Sequence, residues 1–67
     1  MITISDFVEF ELQYFRDYCN FTHEELKFFN YRAKDKTLEE IAELMDISIS
    51  KANKLSRKVK TKMIKVL

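Results

Sequence analysis

The sequence predicts an all-α fold: one four-helix domain that contains a helix-turn-helix and ends in a long helix. Three observations lead to this prediction. The 67 residues include no Gly and no Pro, which the tight turns of β-hairpins usually need. Apolar residues recur at helical spacing along much of the chain. Residues that favour helix N-termini stand just before these stretches.

The length and the cysteine count limit how the domain can be stabilised. A single domain of this size buries only roughly 60% of the surface that its unfolded chain exposes. Cys19 is the only cysteine, so no intramolecular disulfide can form, and we expect it to be buried in a reducing cytoplasm. With His23 as the only histidine, we expect no structural zinc and no cofactor. Oligomerisation, most simply a homodimer, remains as a source of stability.

The first helix is predicted from about Asp6 to Asn20, with Ser5 as its N-cap. It carries two apolar stripes that together span an arc of about 200°. One stripe consists of Phe7, Phe10, Tyr14 and Tyr18, and the other of Val8, Leu12, Phe15 and Cys19. One interpretation is that the first stripe is a self-association or partner surface. The other is that both stripes are buried, with the C-terminal helix wrapped around them.

The second helix is predicted from about His23 to Ala33. Thr22 and Glu25 form a capping box at its start. We expect a core stripe at this helix, with further apolar surface beside it. The expected core residues are Leu26, Phe29 and Ala33, and the flanking ones are Phe28 and Tyr31.

The third and fourth helices form the predicted helix-turn-helix. Thr37 and Glu40 make a second capping box, and Asp46 suits a sharp turn because it tolerates a left-handed backbone. Ser48 can cap a helix from about Ile49 to Lys65. The expected core residues are Leu38, Ile41, Ala42 and Met45, then Ala52, Leu55, Val59 and Met63. The small Ala42 and Ala52 allow the two helices to cross closely.

Charge is distributed very unevenly along the chain. Residues 1–46 contain 5 basic and 11 acidic side chains, a net charge of −6, whereas residues 47–67 contain 7 basic and none acidic. A block of one sign is typical of phosphate binding. The alternative is that lysines near a helix C-terminus complement the helix dipole. That alternative explains Lys51 poorly, because it lies in the first turn, so we expect a polyanion to face that helix end.

Residues 21–63 resemble the fourth conserved region of bacterial sigma factors, the four-helix type that binds the −35 promoter element. The resemblance lies in Thr22 with Glu25, in Thr-Leu-Glu-Glu-Ile-Ala-Glu at 37–43, and in Ile47-Ser48. LuxR-type regulators and small phage or prophage regulators share this architecture. The resemblance implies a stand-alone DNA-binding regulator or an adaptor of DNA or RNA polymerase, since the other sigma regions are absent from this sequence.

The candidate DNA-binding residues follow from the predicted recognition helix, about residues 49–62. We expect base edges to face Ser50, Lys51, Asn53 and Lys54, and phosphates to be held by Lys34, Lys36, Thr37, Arg57, Lys58 and Thr61. The sigma family usually has Gly in the turn and Arg-Glu-Arg after the cap serine. Here Asp46 occupies the turn, and Ile49, Ser50 and Lys51 follow the cap, so the family's Arg contact with guanine is lost.

A protein-binding adaptor or inhibitor on the same scaffold is the second hypothesis. It would bind an acidic partner through the basic helix, or an apolar partner through the first stripe of the first helix. An enzyme is not expected, because the sequence has neither a Gly-rich phosphate loop nor a nucleophile with a plausible base. No run of residues approaches the length of a membrane span, so we expect a soluble cytoplasmic protein without a membrane partner.

Overall fold

The computed structural model of the protein describes Ile4 and residues 7–67, and every regular element in this part of the chain is a helix. The helices are α1 (Glu9–Tyr18), α2 (His23–Ala33), α3 (Leu38–Met45) and α4 (Ile49–Val66). The predicted all-α, four-helix fold is therefore confirmed. Within residues 7–67, none of the helices has the length and apolar character that crossing a membrane requires.

Both predicted capping boxes are present. The Thr22 hydroxyl accepts from the Glu25 N–H at 3.2 Å, and the Glu25 carboxylate accepts from the Thr22 N–H at 2.9 Å. Thr37 and Glu40 repeat the arrangement at 3.2 and 3.1 Å. Because each box satisfies two N–H groups that a helix start leaves free, α2 and α3 begin at the predicted residues.

The turn between α3 and α4 also forms as predicted. Asp46 adopts the left-handed conformation, with φ 57° and ψ 49°. The Ile47 N–H donates to the Ala42 carbonyl at 2.9 Å and the Asp46 N–H to the Glu43 carbonyl at 3.2 Å, which is the Schellman pattern. Ser48 then caps α4, since its hydroxyl accepts from the Lys51 N–H at 3.1 Å. The connection between α3 and α4 is therefore only three residues long, Asp46 to Ser48.

The first helix is shorter than predicted. It begins at Glu9 rather than Asp6, because the Glu11 carboxylate accepts from the Val8 N–H at 3.1 Å and so caps the helix there. It ends at Tyr18, since Asn20 has a positive φ of 54° and turns the chain toward α2. The proposed cap Ser5, like Asp6, lies outside the described residues.

The core is built around α4, which packs against each of the other three helices. Its four predicted core residues, Ala52, Leu55, Val59 and Met63, are all buried. Ala42 of α3 and Ala52 of α4 are both buried, in agreement with their small size. Burial of this one stripe against three helices fixes the orientation of α4 and leaves the opposite side of the helix exposed.

The core differs from the prediction in α2. Phe28 and Phe29 are both fully buried, whereas Leu26 and Ala33 are only half-buried. Phe28 had been expected beside the core stripe; it is instead central, because helices pack against neighbouring sides of α2, namely α3 and α4. Of the predicted stripe of Val8, Leu12, Phe15 and Cys19, the last three are buried, as expected for Cys19. Val8 is 62% exposed, because it precedes the first turn of α1 as its N-cap. Burial raises the pKa of the Cys19 thiol, an effect that the nearby Lys62 charge partly offsets.

Candidate nucleic-acid interface

The solvent side of α4 is formed by Ser50, Lys54, Arg57 and Thr61, which we call the outer face. All four are exposed. At 100° per residue they lie within an arc of about 60°, centred opposite the buried stripe of Ala52, Leu55, Val59 and Met63. Because that stripe is held by the core, the outer face is fixed in orientation. Ile49–Val66 comprises 18 residues, so α4 is roughly 27 Å long.

Further cations extend the outer face along one edge. Lys58 and Lys65 are exposed there, and they line a shallow open depression together with Glu25, Arg57, Thr61 and Lys62. On the opposite edge lies Asn53, which is exposed and about 60° from Ser50 around the helix. The structure therefore brings together seven of the ten predicted DNA-binding residues on one helix, although Lys51 has a partner within the chain.

Lys51 forms an ion pair with Glu24 of α2, at 3.0 Å between Nζ and Oε2. Both side chains are about half exposed. This contact corrects the inference made for Lys51 from the sequence, because an external polyanion is not needed to explain a cation in the first turn of α4. The sequence does not reveal Glu24 as the partner of Lys51, because 27 residues separate them and no local pattern links them.

A second ion pair joins α2 to the later part of α4. Lys62 Nζ donates to Glu25 Oε1 and also to the Asn20 carbonyl at 3.2 Å. Glu25 is 3% exposed, so this pair is largely removed from water, unlike that of Lys51. Burial alone would raise the pKa of Glu25, but the Lys62 hydrogen bond, the Thr22 hydrogen bonds and the Lys62 charge outweigh it. The pKa of Glu25 is therefore lowered, and its carboxylate stays ionised.

Five cations of α4 take part in no ion pair among the described residues: Lys54, Arg57, Lys58, Lys60 and Lys65. Four of them are exposed, and Lys60 is half-buried. Residues 47–67 contain no acidic side chain that would compensate them. The exposed charges of the outer face and its edge, those of Lys54, Arg57, Lys58 and Lys65, are therefore all positive.

The residues predicted to hold phosphates before α3 occupy other positions. Lys34 is exposed, but it lines a groove between α1 and α2 with Glu9, Arg16 and Asn30 rather than the depression beside α4. Lys36 is half-buried, and its carbonyl accepts from Arg32 Nη1 at 2.8 Å. Thr37 is engaged in the capping box. The N–H groups of Thr37 and Glu40 are satisfied within that box, and the same contacts lower the pKa of Glu40.

Three of the four residues predicted as a partner surface are exposed. Phe10 is 84% exposed, Tyr18 64% and Tyr14 42%. We call these three residues the aromatic stripe. Phe7 does not belong to it, because it packs on the core with its ring centroid 5.0 Å from that of Phe15. Tyr14 Oη donates to the Val66 carbonyl at 3.1 Å, so the C-terminal helix reaches α1 without covering the stripe.

Comparison with known protein families, with curated proteins and with solved structures found no match to this chain.

Proposed function

We propose that this protein is a DNA-binding transcriptional regulator of bacterial or phage type, with α4 lying in the major groove. The observation that carries the proposal is the outer face of α4, where Lys54 and Arg57 are exposed opposite the buried stripe and form no ion pair among the described residues. A major groove about 12 Å wide admits one α-helix, and its phosphates flank the helix on both sides. The resemblance to sigma-factor region four supports the same docking.

Roles follow from position on the helix. Ser50 and Lys54, in the first half of the outer face, would meet base edges, with Asn53 at the border of that surface. Arg57, Lys58 and Thr61 would bind phosphates along the groove. Lys51 would join them only after leaving Glu24. Lys34, Lys36 and Thr37 keep a phosphate role only where the DNA backbone extends past α3.

The assembly and location also belong to this proposal. A homodimer would place its two recognition helices about one DNA turn apart, roughly 34 Å. Such a regulator would act in the cytoplasm, with double-stranded DNA as its main partner and RNA polymerase as a further one. Analytical ultracentrifugation with and without duplex DNA measures whether two chains bind together.

The proposal is tested by titrating the protein onto labelled duplex DNA at several salt concentrations. If α4 contacts phosphates, the association constant falls on a log–log plot with a slope of about −0.9 for each phosphate bound. Lys54→Glu and Arg57→Glu should each weaken binding roughly tenfold or more, since each replaces a favourable contact by a repulsive one. Lys27→Glu, a change of equal charge at an exposed position of α2, is the matched control and should have a much smaller effect.

Two results would contradict DNA binding through α4. One is the absence of binding at low salt by a protein whose circular dichroism shows it to be helical. The other is an equal loss of affinity in Lys27→Glu and Lys54→Glu, which would indicate a general effect of net charge rather than a surface on α4.

A protein-binding adaptor or inhibitor on this scaffold is the second candidate. The exposure of the aromatic stripe favours it, because DNA binding through α4 does not use that surface. The two functions are compatible, since the stripe and the outer face lie on different helices.

A further inference from the structure

The aromatic stripe is a continuous ridge on α1. Phe10, Tyr14 and Tyr18 follow one another at intervals of four residues, so they span roughly 12 Å along the helix axis. The Tyr14 and Tyr18 rings lie with their centroids 4.8 Å apart. The Tyr14 ring is also 5.8 Å from that of buried Phe15, which supports the ridge from below. Three neighbouring aromatic side chains in water are an unusual cost for a monomeric domain, and such patches mark interaction sites.

Carboxylates border the stripe on both sides. Glu11 lies about 60° from Tyr14 in one direction around α1 and Asp17 about 60° in the other. Glu11 lines a shallow depression with Phe10, Tyr14 and Leu67, and Asp17 lines a second one with Phe10, Tyr14 and Tyr18. Neither carboxylate takes part in an ion pair within the described part of the chain. Asp17 accepts only the Gln13 amide, at 3.0 Å.

The only cation of α1 is directed away from the stripe. Arg16 donates to Glu9 at 2.8 Å and to Asn30 of α2 at 2.9 Å, and its guanidinium lies 5.7 Å from the centre of the Phe29 ring. Among the described residues, no cation lines either depression beside the stripe. The surface is therefore apolar along its centre and negative along both edges.

The carboxylates beside the aromatic stripe indicate which kind of partner binds there. In a symmetric antiparallel pairing of two α1 helices centred on Tyr14, Phe10 would face Tyr18 of the second copy. Glu11 and Asp17 lie on opposite edges of the stripe, and a twofold axis keeps each edge on its own side. The two Glu11 carboxylates would therefore share one edge of the interface and the two Asp17 carboxylates the other, which places like charges together twice. An anionic membrane surface is disfavoured by the same carboxylates, since interfacial helices carry cations beside their apolar face.

We propose that the aromatic stripe docks a basic amphipathic helix of another protein. The partner helix would place apolar side chains at i, i+3 or i+4 and i+7 against Phe10, Tyr14 and Tyr18. Its Lys or Arg residues would flank these and meet Glu11 and Asp17. The contact is small, so the complex is of the transient class. It is independent of DNA binding, because none of these residues belongs to α4.

The test uses two synthetic helical peptides with the same apolar residues, one with Lys and one with Gln at the flanking positions. Binding to the full-length protein is measured by fluorescence anisotropy. The Lys peptide should bind at least about tenfold more tightly than the Gln peptide. Glu11→Gln/Asp17→Asn should abolish this preference while retaining the Val8 cap and the Gln13 contact, because both replacements keep a hydrogen-bonding oxygen.

Matched variants show whether the stripe is the site. Phe10→Ala/Tyr18→Ala should weaken the Lys peptide at least about tenfold, whereas Leu44→Ala, at an exposed apolar residue of α3, should not. Glu39→Gln/Glu43→Gln removes the same charge from α3 and should leave the peptide preference unchanged. Circular dichroism confirms that each variant is folded.

Three results would overturn the proposal: no binding of the Lys peptide, equal binding of both peptides, or binding that Phe10→Ala/Tyr18→Ala leaves intact. The proposal would also be overturned if sedimentation equilibrium showed a dimer of the wild type and a monomer of Phe10→Ala/Tyr18→Ala, since a second copy would then occupy the stripe. None of these results depends on whether α4 binds DNA.

Discussion

Single residues with left-handed backbones allow this chain to turn without glycine. Asn20, Asp35 and Asp46 have φ values of 54°, 63° and 57°, and one of them lies in each connection between helices. Asp35 ends α2 with the same Schellman hydrogen bonds that Asp46 makes after α3: its N–H donates to the Arg32 carbonyl, and the Lys36 N–H to that of Tyr31. Asn and Asp are the non-glycine residues that adopt this conformation most readily. Each of the three turns therefore has an Asn or Asp at its left-handed position.

We expect Asp46→Gly to increase the free energy of unfolding by about 0.5–1 kcal/mol, because Gly has no Cβ that opposes a positive φ. Asp46→Asn should lie between Gly and Asp, and Asp46→Val should destabilise the protein by about 1–2 kcal/mol. Urea denaturation measures all of these.

Asp46→Ala is the control for charge at that position. It removes the carboxylate from the C-terminus of α3, where the helix dipole disfavours it, but it retains the Cβ. If Ala stabilised the protein as much as Gly, the charge rather than the backbone conformation would explain the effect.

At the scale of elements, the two sides of α4 have different roles. Its buried stripe packs against the other three helices, and its outer face is left with uncompensated cations. Two cations of α4 are neutralised by the first turn of α2, because Glu24 binds Lys51 and Glu25 binds Lys62. The α2 helix therefore both supports α4 and neutralises part of its charge.

We expect Glu24→Gln to tighten DNA binding roughly three- to tenfold, since Lys51 is released and a carboxylate near the phosphates is removed. Its cost in stability should stay below about 1 kcal/mol, because the Glu24–Lys51 pair is exposed. DNA titration at fixed salt measures the affinity.

Asp17→Asn, which removes the same charge from α1, is the matched control for Glu24→Gln and should leave the affinity nearly unchanged. Equal tightening by both variants would mean that only net charge matters. Weaker binding by Glu24→Gln would mean that the ion pair positions Lys51 for DNA.

At the scale of the whole molecule, two ion pairs among the described residues join the acidic and basic parts of the chain. Residues 1–46 have a net charge of −6 and residues 47–67 of +7. The Glu25–Lys62 pair joins them in a largely buried position and also holds the α1–α2 connection through the Asn20 carbonyl. Of the three ion pairs in residues 7–67, this one has the most buried carboxylate, so it should affect global stability most.

We expect stability to fall in acid partly through Glu25. Because its pKa is lower in the folded protein, its contribution is fully present above the ordinary carboxyl pKa of 4.5 and is lost as the pH falls through the folded value. Glu25→Gln, which can keep the capping box, should cost roughly 1–3 kcal/mol at pH 7. The difference from the wild type should shrink below pH 4.

Urea denaturation at pH 7 and pH 3 measures this change, with Glu24→Gln as the exposed neighbouring control. The control should differ little from the wild type at either pH. A cost of Glu25→Gln that is the same at both pH values would contradict the assigned role of the ionised carboxylate.

Local interactions made most of the fold predictable. Three kinds of local feature were predicted: the capping boxes of α2 and α3, the Ser48 cap and the left-handed Asp46. Each depends on residues at most five apart, so both partners can be recognised within one short segment of sequence. The core stripe of α4 follows from helical spacing in the same way. The predicted start of α1 was wrong because the Glu11 carboxylate accepts from the Val8 N–H and caps the helix from within its first turn.

The sequence by itself determined the helices, the turn between α3 and α4 and the basic character of residues 47–67, because each depends on neighbours in the chain. Only the tertiary structure decided which charges remain uncompensated, since Lys51 and Lys62 meet carboxylates 27 and 37 residues away. It also separated Lys34 from the α4 cations and placed Phe7 in the core while leaving Phe10 exposed. Helical periodicity specifies which residues share a face, but only packing specifies which faces are covered.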